Sequence, residues 1–176
     1  TTFGGGDDTL NNRGQLIAAY PGHLIETTTI NALETFNNSG TIALSVGEVG
    51  GLLDITGGVR FNGMGGTLVV DTRLGEDGES DLLLINGEVS GVTKVSVKAV
   101  GAIGANSSGI ALVQVYGEAA DDNFTLDSGS RSMGLFAWDL RRNPEDDSVF
   151  ELYSSGLGAG AYEFAGGLTA AQDVWF

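Results

Sequence analysis

The sequence predicts an all-β chain wound as a parallel β-helix, a solenoid of short strands, and three observations carry that reading. A motif returns at a fixed interval, short apolar runs recur between its copies, and 29 glycines stand against only 2 prolines. A repeat of roughly 20 to 50 residues is the mark of stacked coils, whereas hairpin sandwiches show turn signals about every 8 to 12 residues.

The motif is Asn11-Asn12-Arg13-Gly14-Gln15-Leu16-Ile17, echoed by Asn37-Asn38-Ser39-Gly40-Thr41-Ile42 and by Asn62-Gly63-Met64-Gly65-Gly66-Thr67-Leu68. Gly14, Gly40 and Gly66 are evenly spaced, and a fainter echo at Gly91 falls one position early. Their interval lies well inside the range of solenoid repeats. These four are the expected rung-turn glycines, set at corners where the backbone needs a positive φ. A second column runs between the echoes: Leu24-Ile25-Glu26-Thr27, Leu52-Leu53-Asp54-Ile55, Leu82-Leu83-Leu84-Ile85, then Ile110 to Val115. Each run is short, aliphatic or β-branched, and followed by turn residues, as a buried strand should be. The expected coil has two or three strands per turn, with like strands in parallel ladders and aliphatic side chains piled inside.

Composition narrows the function. The 23 acidic residues outnumber the 8 basic ones for a formal charge of −15. That leaves no basic stripe to displace counterions from phosphates, so nucleic acid is not an expected partner. The absence of cysteine removes disulfides, thiolate zinc sites and a cysteine nucleophile. No apolar run approaches the roughly 20 residues of a membrane helix. The abrupt start at Thr1-Thr2-Phe3, without a signal peptide, suggests a piece of a longer protein.

The pattern changes near residue 118, beyond which the strands read as antiparallel. Leu135-Phe136-Ala137-Trp138-Asp139-Leu140 and Val149-Phe150-Glu151-Leu152-Tyr153 flank the polar stretch Arg141 to Asp147, the reading of a hairpin. An open solenoid end exposes apolar interior and unpaired edges, so it needs a cap. Phe136, Trp138, Leu140, Phe150, Leu152 and Tyr153 are the candidate cap residues, large enough to give a short element deep burial. Further on, Phe164, Leu168, Ala171 and Trp175 fall at helical spacing, the stripe of a linker helix. The expected division is solenoid over 1–117, cap over 118–155 and linker over 156–176.

Three stretches in order resemble the C-terminal, pertactin-like stem of classical bacterial autotransporter passengers, proteins of type V secretion. They are Gly66 to Asp71 with Leu74 to Leu83, Gly109-Ile110-Ala111-Leu112-Val113-Gln114-Val115-Tyr116-Gly117, and the aromatic hairpin Phe136 to Leu140 with Phe150 to Ser154. The resemblance is strong over about residues 60–155; Phe150 departs from it where tryptophan is commoner. It implies a right-handed β-helix whose last rungs and cap act as an autochaperone, a folding seed for a passenger exported C-terminal end first. The implied partner is a C-terminal β-barrel of the same polypeptide in the outer membrane, which would anchor the protein at the bacterial cell surface. A host-cell or matrix receptor would be met by a region N-terminal to Thr1.

Enzyme chemistry has little to stand on. His23 is the single histidine and follows a Pro21-Gly22 turn; no Gly-x-Ser-x-Gly elbow surrounds a serine. Polysaccharide lyases and hydrolases also use β-helices, and Glu26, Glu34, Asp54 and Asp71 are the carboxylates to watch, though without arginine or aromatic platforms beside them. Gly4-Gly5-Gly6-Asp7-Asp8-Thr9-Leu10 is one copy of a calcium-binding nonapeptide whose sites need tandem copies. The acidic run Glu76 to Asp81 lacks EF-hand spacing and reads as a loop between rungs, and no cofactor fingerprint is present. The expectation is therefore a structural stem and not an enzyme. The rivals are a carbohydrate-active β-helix and a host-binding module over residues 1–60.

Overall fold

In the computed structural model residues 1–18 and 27–157 are described. They contain thirteen strands joined in one continuous sheet that winds through about four turns. In chain order these are β1 (Thr9–Asn12), β2 (Gln15–Ile17), β3 (Thr27–Ile30), β4 (Thr35–Asn38), β5 (Thr41–Ala43) and β6 (Leu52–Arg73). There follow β7 (Glu79–Ser80), β8 (Leu82–Ala99), β9 (Ile110–Val115), β10 (Phe124–Leu126), β11 (Ser132–Met133), β12 (Phe136–Arg142) and β13 (Val149–Leu157). The long β6 and β8 each bend around corners and so serve three columns in turn.

Each column is a parallel ladder. The first stacks β1 on β4, then on Arg60–Gly63 and Glu88–Gly91. The second stacks β2, β5, Thr67–Val69, Lys94–Val95 and β10. The third stacks β3, Leu52–Ile55, Leu82–Ile85 and the end of β9. Alternation in each strand sends every second side chain inward, and the ladders put like on like. Phe36 sits on Phe61, Ile42 on Leu68 on Val95, and Ile55 on Ile85 on Val115; all are buried. Burying one such aliphatic side chain is worth about 1.5–3 kcal/mol.

Polar ladders run beside the apolar ones. On the outside, Asn37 donates to Asn11 at 2.8 Å, Asn62 donates to Asn37 at 2.6 Å, and Ser90 donates to Asn62 at 2.6 Å. Inside, Asn12 donates to Asn38 at 2.8 Å. The repeated Asn-Asn pair is therefore one outer and one inner rail. The outer rail pairs its side-chain amides with their copies one rung away, whereas the inner one is a single step that ends at Asn38, whose Nδ2 is buried without a partner because Gly63 follows it in the column.

The glycine columns have a different cause from the one the corners suggested. None of Gly14, Gly40 and Gly66 has a left-handed backbone. A Cβ on Gly66 would stand 2.6 Å from the Asn38 carbonyl and 2.7 Å from that of Gly40, and one on Gly40 would meet the Gly14 backbone, so these two are kept for close approach; at Gly14, the end of the column, a Cβ would meet nothing within 4 Å. Gly91 does have a positive φ, 67°, but it pairs with Gly63 and not with the Gly66 column. A bulge between Met64 and Thr67 absorbs the slip.

Three further expectations are corrected. Thr27, not Leu24, is the partner of Leu52, so the third column is displaced from the apparent echo. Parallel pairing also continues past Gly117: β10 lies on Thr93–Val95, and antiparallel pairing in this part of the chain begins only with β11. Arg141 and Arg142 belong to β12, which leaves a shorter hairpin loop from Asn143. His23, Leu24, Ile25, Glu26 and the linker-helix residues Phe164, Leu168, Ala171 and Trp175 lie outside the described residues.

Candidate functional site

The site to consider is the junction where the solenoid stops. β9 ends the third column, and β13 pairs with it in the opposite direction, Val149 with Gln114 and Leu152 with Ile110. β12 then pairs with β13, Leu140 with Leu152 and Arg142 with Phe150, and β11 pairs with β12. The column sheet thus runs on into the hairpin with its direction reversed. That covers the top edge of β9 and gives its N–H and C=O groups partners.

The hairpin is bound to the core through aromatic rings. Phe36 meets Phe61 at 5.2 Å between centroids, Phe61 meets Phe124 at 6.4 Å, and Phe124 meets Phe150 edge-on at 4.9 Å. Of the candidate cap residues, Phe150, Leu152 and Trp138 are buried, and the Trp138 indole N–H reaches the Met133 carbonyl at 3.3 Å. Phe136 and Leu140 are partly buried against the same core. Tyr153 faces outward under Arg141, whose guanidinium lies 4.3 Å from the ring centroid. The structure therefore brings five of the six into one core and leaves Tyr153 as a platform for a cation.

Two arginines complete the seam. The Glu151 side chain, only 3% exposed, accepts from Arg141 Nε at 2.7 Å and from Asn143 Nδ2 at 2.7 Å. Its carboxylate packs so closely on Gly109, whose φ is 103°, that a Cβ there has no room. Arg142 lies over the Phe150 ring at 5.0 Å. It donates to the carbonyls of Asp147 and Ala119 and stands 3.1 Å from Asp121. It therefore ties the hairpin loop to the chain leaving the third column. From beneath, Asn106 donates to the Gly75 carbonyl at 2.6 Å and exchanges bonds with Ser154 of β13. The turn after β10 is closed by Asp127, which accepts the Ser130 N–H at 2.7 Å. Burial alone would raise that carboxyl, but bonds from Ser130 and Ser96 outweigh it and hold it below the ordinary value of 3.8.

Phe124, Arg142, Glu151 and Asn106 are the junction residues that sequence reasoning missed. A charged Glu151 between Phe150 and Leu152 in an apolar strand was the available signal, because a buried acid implies a buried partner. Of the carboxylates watched for sugar chemistry, the three among the described residues have separate surroundings. Asp71 is 1% exposed and engaged by Ser45, Val46 and Gly47, Glu34 accepts the Asp8 N–H at 2.8 Å, and Asp54 lies on the outer side of the third column.

Parallel coils closed by an antiparallel hairpin, with rings and arginines locked across the seam, define a capped β-solenoid. The chain belongs to the Autochaperone Domain Type 1 family, whose sequence model matches residues 28–139. This bears out the resemblance to autotransporter passenger stems. The uncharacterized protein YuaQ of Escherichia coli (strain K12) is 36% identical over 109 residues, which are 61% of this chain and 8% of that protein. The probable autotransporter YfaL of the same strain is 34% identical over 117 residues, 62% of this chain and 9% of its own length. The Adhesin BmaC autotransporter of Brucella suis biovar 1 (strain 1330) is 34% identical over 142 residues, 79% of this chain and 4% of its own length. The matched region is thus less than a tenth of each of these relatives.

Proposed function

We propose that this chain is the C-terminal stem of an autotransporter passenger and that its capped end seeds folding as the passenger crosses the outer membrane. The division proposed is a stem over 1–117, a cap over 118–155 with β10 as its docking strand, and a linker over 156–176. The linker leads to a β-barrel of the same polypeptide, which anchors the protein at the bacterial surface. An effector or adhesin region N-terminal to Thr1 is presented outward and makes any contact with a host-cell or matrix receptor. The adhesin among the relatives supports that arrangement.

The observation that carries the seed is the aromatic line from Phe150 through Phe124 to Phe61. The first rung to fold has no folded neighbour, so it bears the ordering entropy without a template. A cap that supplies large rings and a partly buried ion pair provides the missing neighbour. Each later rung then adds apolar burial worth about 25 cal/mol per Å² and resists sliding back. No energy source outside the cell is required. The role is structural; Asp71, one of the carboxylates weighed for sugar cleavage, is only 1% exposed and engaged by backbone donors, which supports that reading.

Pulse proteolysis across a urea titration, with mass spectrometry of the protected fragments, tests the seed. Survival of a fragment near residues 60–155 after the N-terminal rungs have been cut is the expected result. Melting as one unit, or N-terminal rungs that outlast the cap, would overturn it.

A further inference from the structure

A pair of buried acids stands apart from the aromatic line that carries the seed. Asp71, near the end of β6, and Asp81, just before β8, are 1% and 0% exposed. Asp81 Oδ1 accepts the Gly51 N–H at 2.8 Å, and its Oδ2 accepts the Asp71 N–H at 2.8 Å. The Asp71 carboxylate accepts from Ser45 Oγ at 2.6 Å and from the N–H groups of Val46 and Gly47 at 2.7 and 2.5 Å. Together they fasten the loop between β5 and β6 onto the following rung. Each acid satisfies backbone groups that would otherwise be orphaned at the corner.

Among the described residues neither carboxylate forms an ion pair. The charged groups on the elements packed around them are few. Arg73 on β6 is paired with Glu79 on β7. Lys98 on β8 stands in register with Asp71 but points to solvent. The other charged side chains in and beside the adjoining loops, Glu48, Asp54, Glu76 and Asp77, are acidic and offer no counter-charge. Two buried negative charges held only by neutral donors are costly, and one proton relieves much of that cost.

We propose that the Asp71–Asp81 corner is an acid-tightened clasp: one proton taken up there strengthens the joint between adjacent rungs, so the stem resists unfolding better at pH 5 than at pH 7. The proton comes from solvent and no bond need break, because a neutral carboxyl keeps lone pairs for both N–H donors. Burial, first of all, lifts Asp81 from 3.8 to about 6; the N–H groups of Asp71 and Gly51 oppose it, and the charge on Asp71 adds to it. Proton affinity is therefore higher folded than unfolded. The linked stability is fully present below about 3.8, the unfolded value, and is lost as pH rises through about 6.

The test is urea unfolding of the whole chain at pH 7 and pH 5, for the native protein and for Asp81→Asn. For the native protein the unfolding constant should fall about tenfold between pH 7 and pH 5 through this group. Relief of the general −15 charge acts on both proteins and subtracts out. Asp81→Asn should lack the tenfold difference; an identical pH dependence in the two proteins overturns the clasp. Should the variant not fold, the side-chain carboxyl ¹³C resonance of Asp81 in the native protein decides. A titration midpoint at or above pH 5 supports the clasp, and one below pH 5 rejects it.

Discussion

The ring of Phe150 in the hairpin meets the ring of Phe124 in the last parallel strand edge-on, with centroids 4.9 Å apart. Phe150 lies on a strand that runs antiparallel to its neighbour β9, and Phe124 lies on one that runs parallel to β8. Two kinds of pairing that share no ladder are thus joined by side chains. Backbone hydrogen bonds set the direction of each strand, but this contact makes hairpin and coil one core. A cap that only paired at its edge would be free to fray; one with a ring inside the solenoid must expose it to leave.

Phe150→Ala should therefore weaken more than the hairpin. The site is fully buried, so the loss should be about 3–5 kcal/mol, the usual cost of removing a buried aromatic ring. Urea unfolding gives the total, and hydrogen exchange locates it. Faster exchange at β10 and at Phe61 as well as in β13 is the expected pattern; loss confined to β13 would show that the ring serves the hairpin alone.

The glycine column separates two uses of one residue type. Gly66→Ala should cost about 1–3 kcal/mol, because the new methyl group meets the backbone carbonyls of Asn38 and Gly40. Gly14→Ala has nothing within 4 Å and no left-handed backbone, so it should be neutral or stabilise by about 0.5 kcal/mol. Midpoints from thermal or urea melts of the two variants check the contrast. Equal losses would mean that the column is held by conformation and not by contact.

These residues also show what the sequence could reveal. Asn37 and Asn62 stand out as repeats because an amide rail works only if the same side chain returns at each rung. Aliphatic columns repeat only as a class, so their register was less visible. Leu24 to Thr27 looks like a copy of Leu52 to Ile55, yet Thr27 pairs with Leu52, since a backbone ladder accepts either residue. The junction was harder still. Phe124 follows Asp121-Asp122-Asn123, a run that reads as surface, and Asp81 closes an acidic run that reads as loop although it is fully buried. Arg141 and Arg142 look like loop charges until their partners Glu151 and Phe150 are brought across the hairpin. Such contacts depend on tertiary closure, which no local pattern records.

Arg141→Ala should be among the more harmful changes in the cap. It leaves Glu151, whose side chain is 3% exposed, without its cation; because Arg141 itself is 35% exposed, the loss should be about 1–3 kcal/mol, the cost of leaving a buried acceptor unsatisfied. Asn143 still donates to the other oxygen, which favours the lower end of that range. A double-mutant cycle with Glu151→Gln should give a coupling above about 1 kcal/mol. Additive losses would reduce the pair to two independent packing contacts.

Asp127 should respond to acid in the opposite sense to Asp81. Its carboxylate accepts the Ser130 N–H at 2.7 Å and closes the turn that ends the second column. Hydrogen bonds hold its folded value below 3.8 despite burial, so its contribution is present above about pH 3.8 and fades as pH falls through the lowered value. Asp127→Ala should cost about 1 kcal/mol at pH 7, as for the loss of a capping acid. The deficit should narrow toward pH 3, while Asp127→Asn, which keeps an acceptor oxygen, should lose less at pH 7. Urea midpoints for the three proteins at pH 7, 5 and 3 check this. A deficit that stays constant to pH 3 would place the role of Asp127 in packing. A narrowing deficit would mean that the second column loosens in acid over a range where the Asp71–Asp81 corner has already tightened.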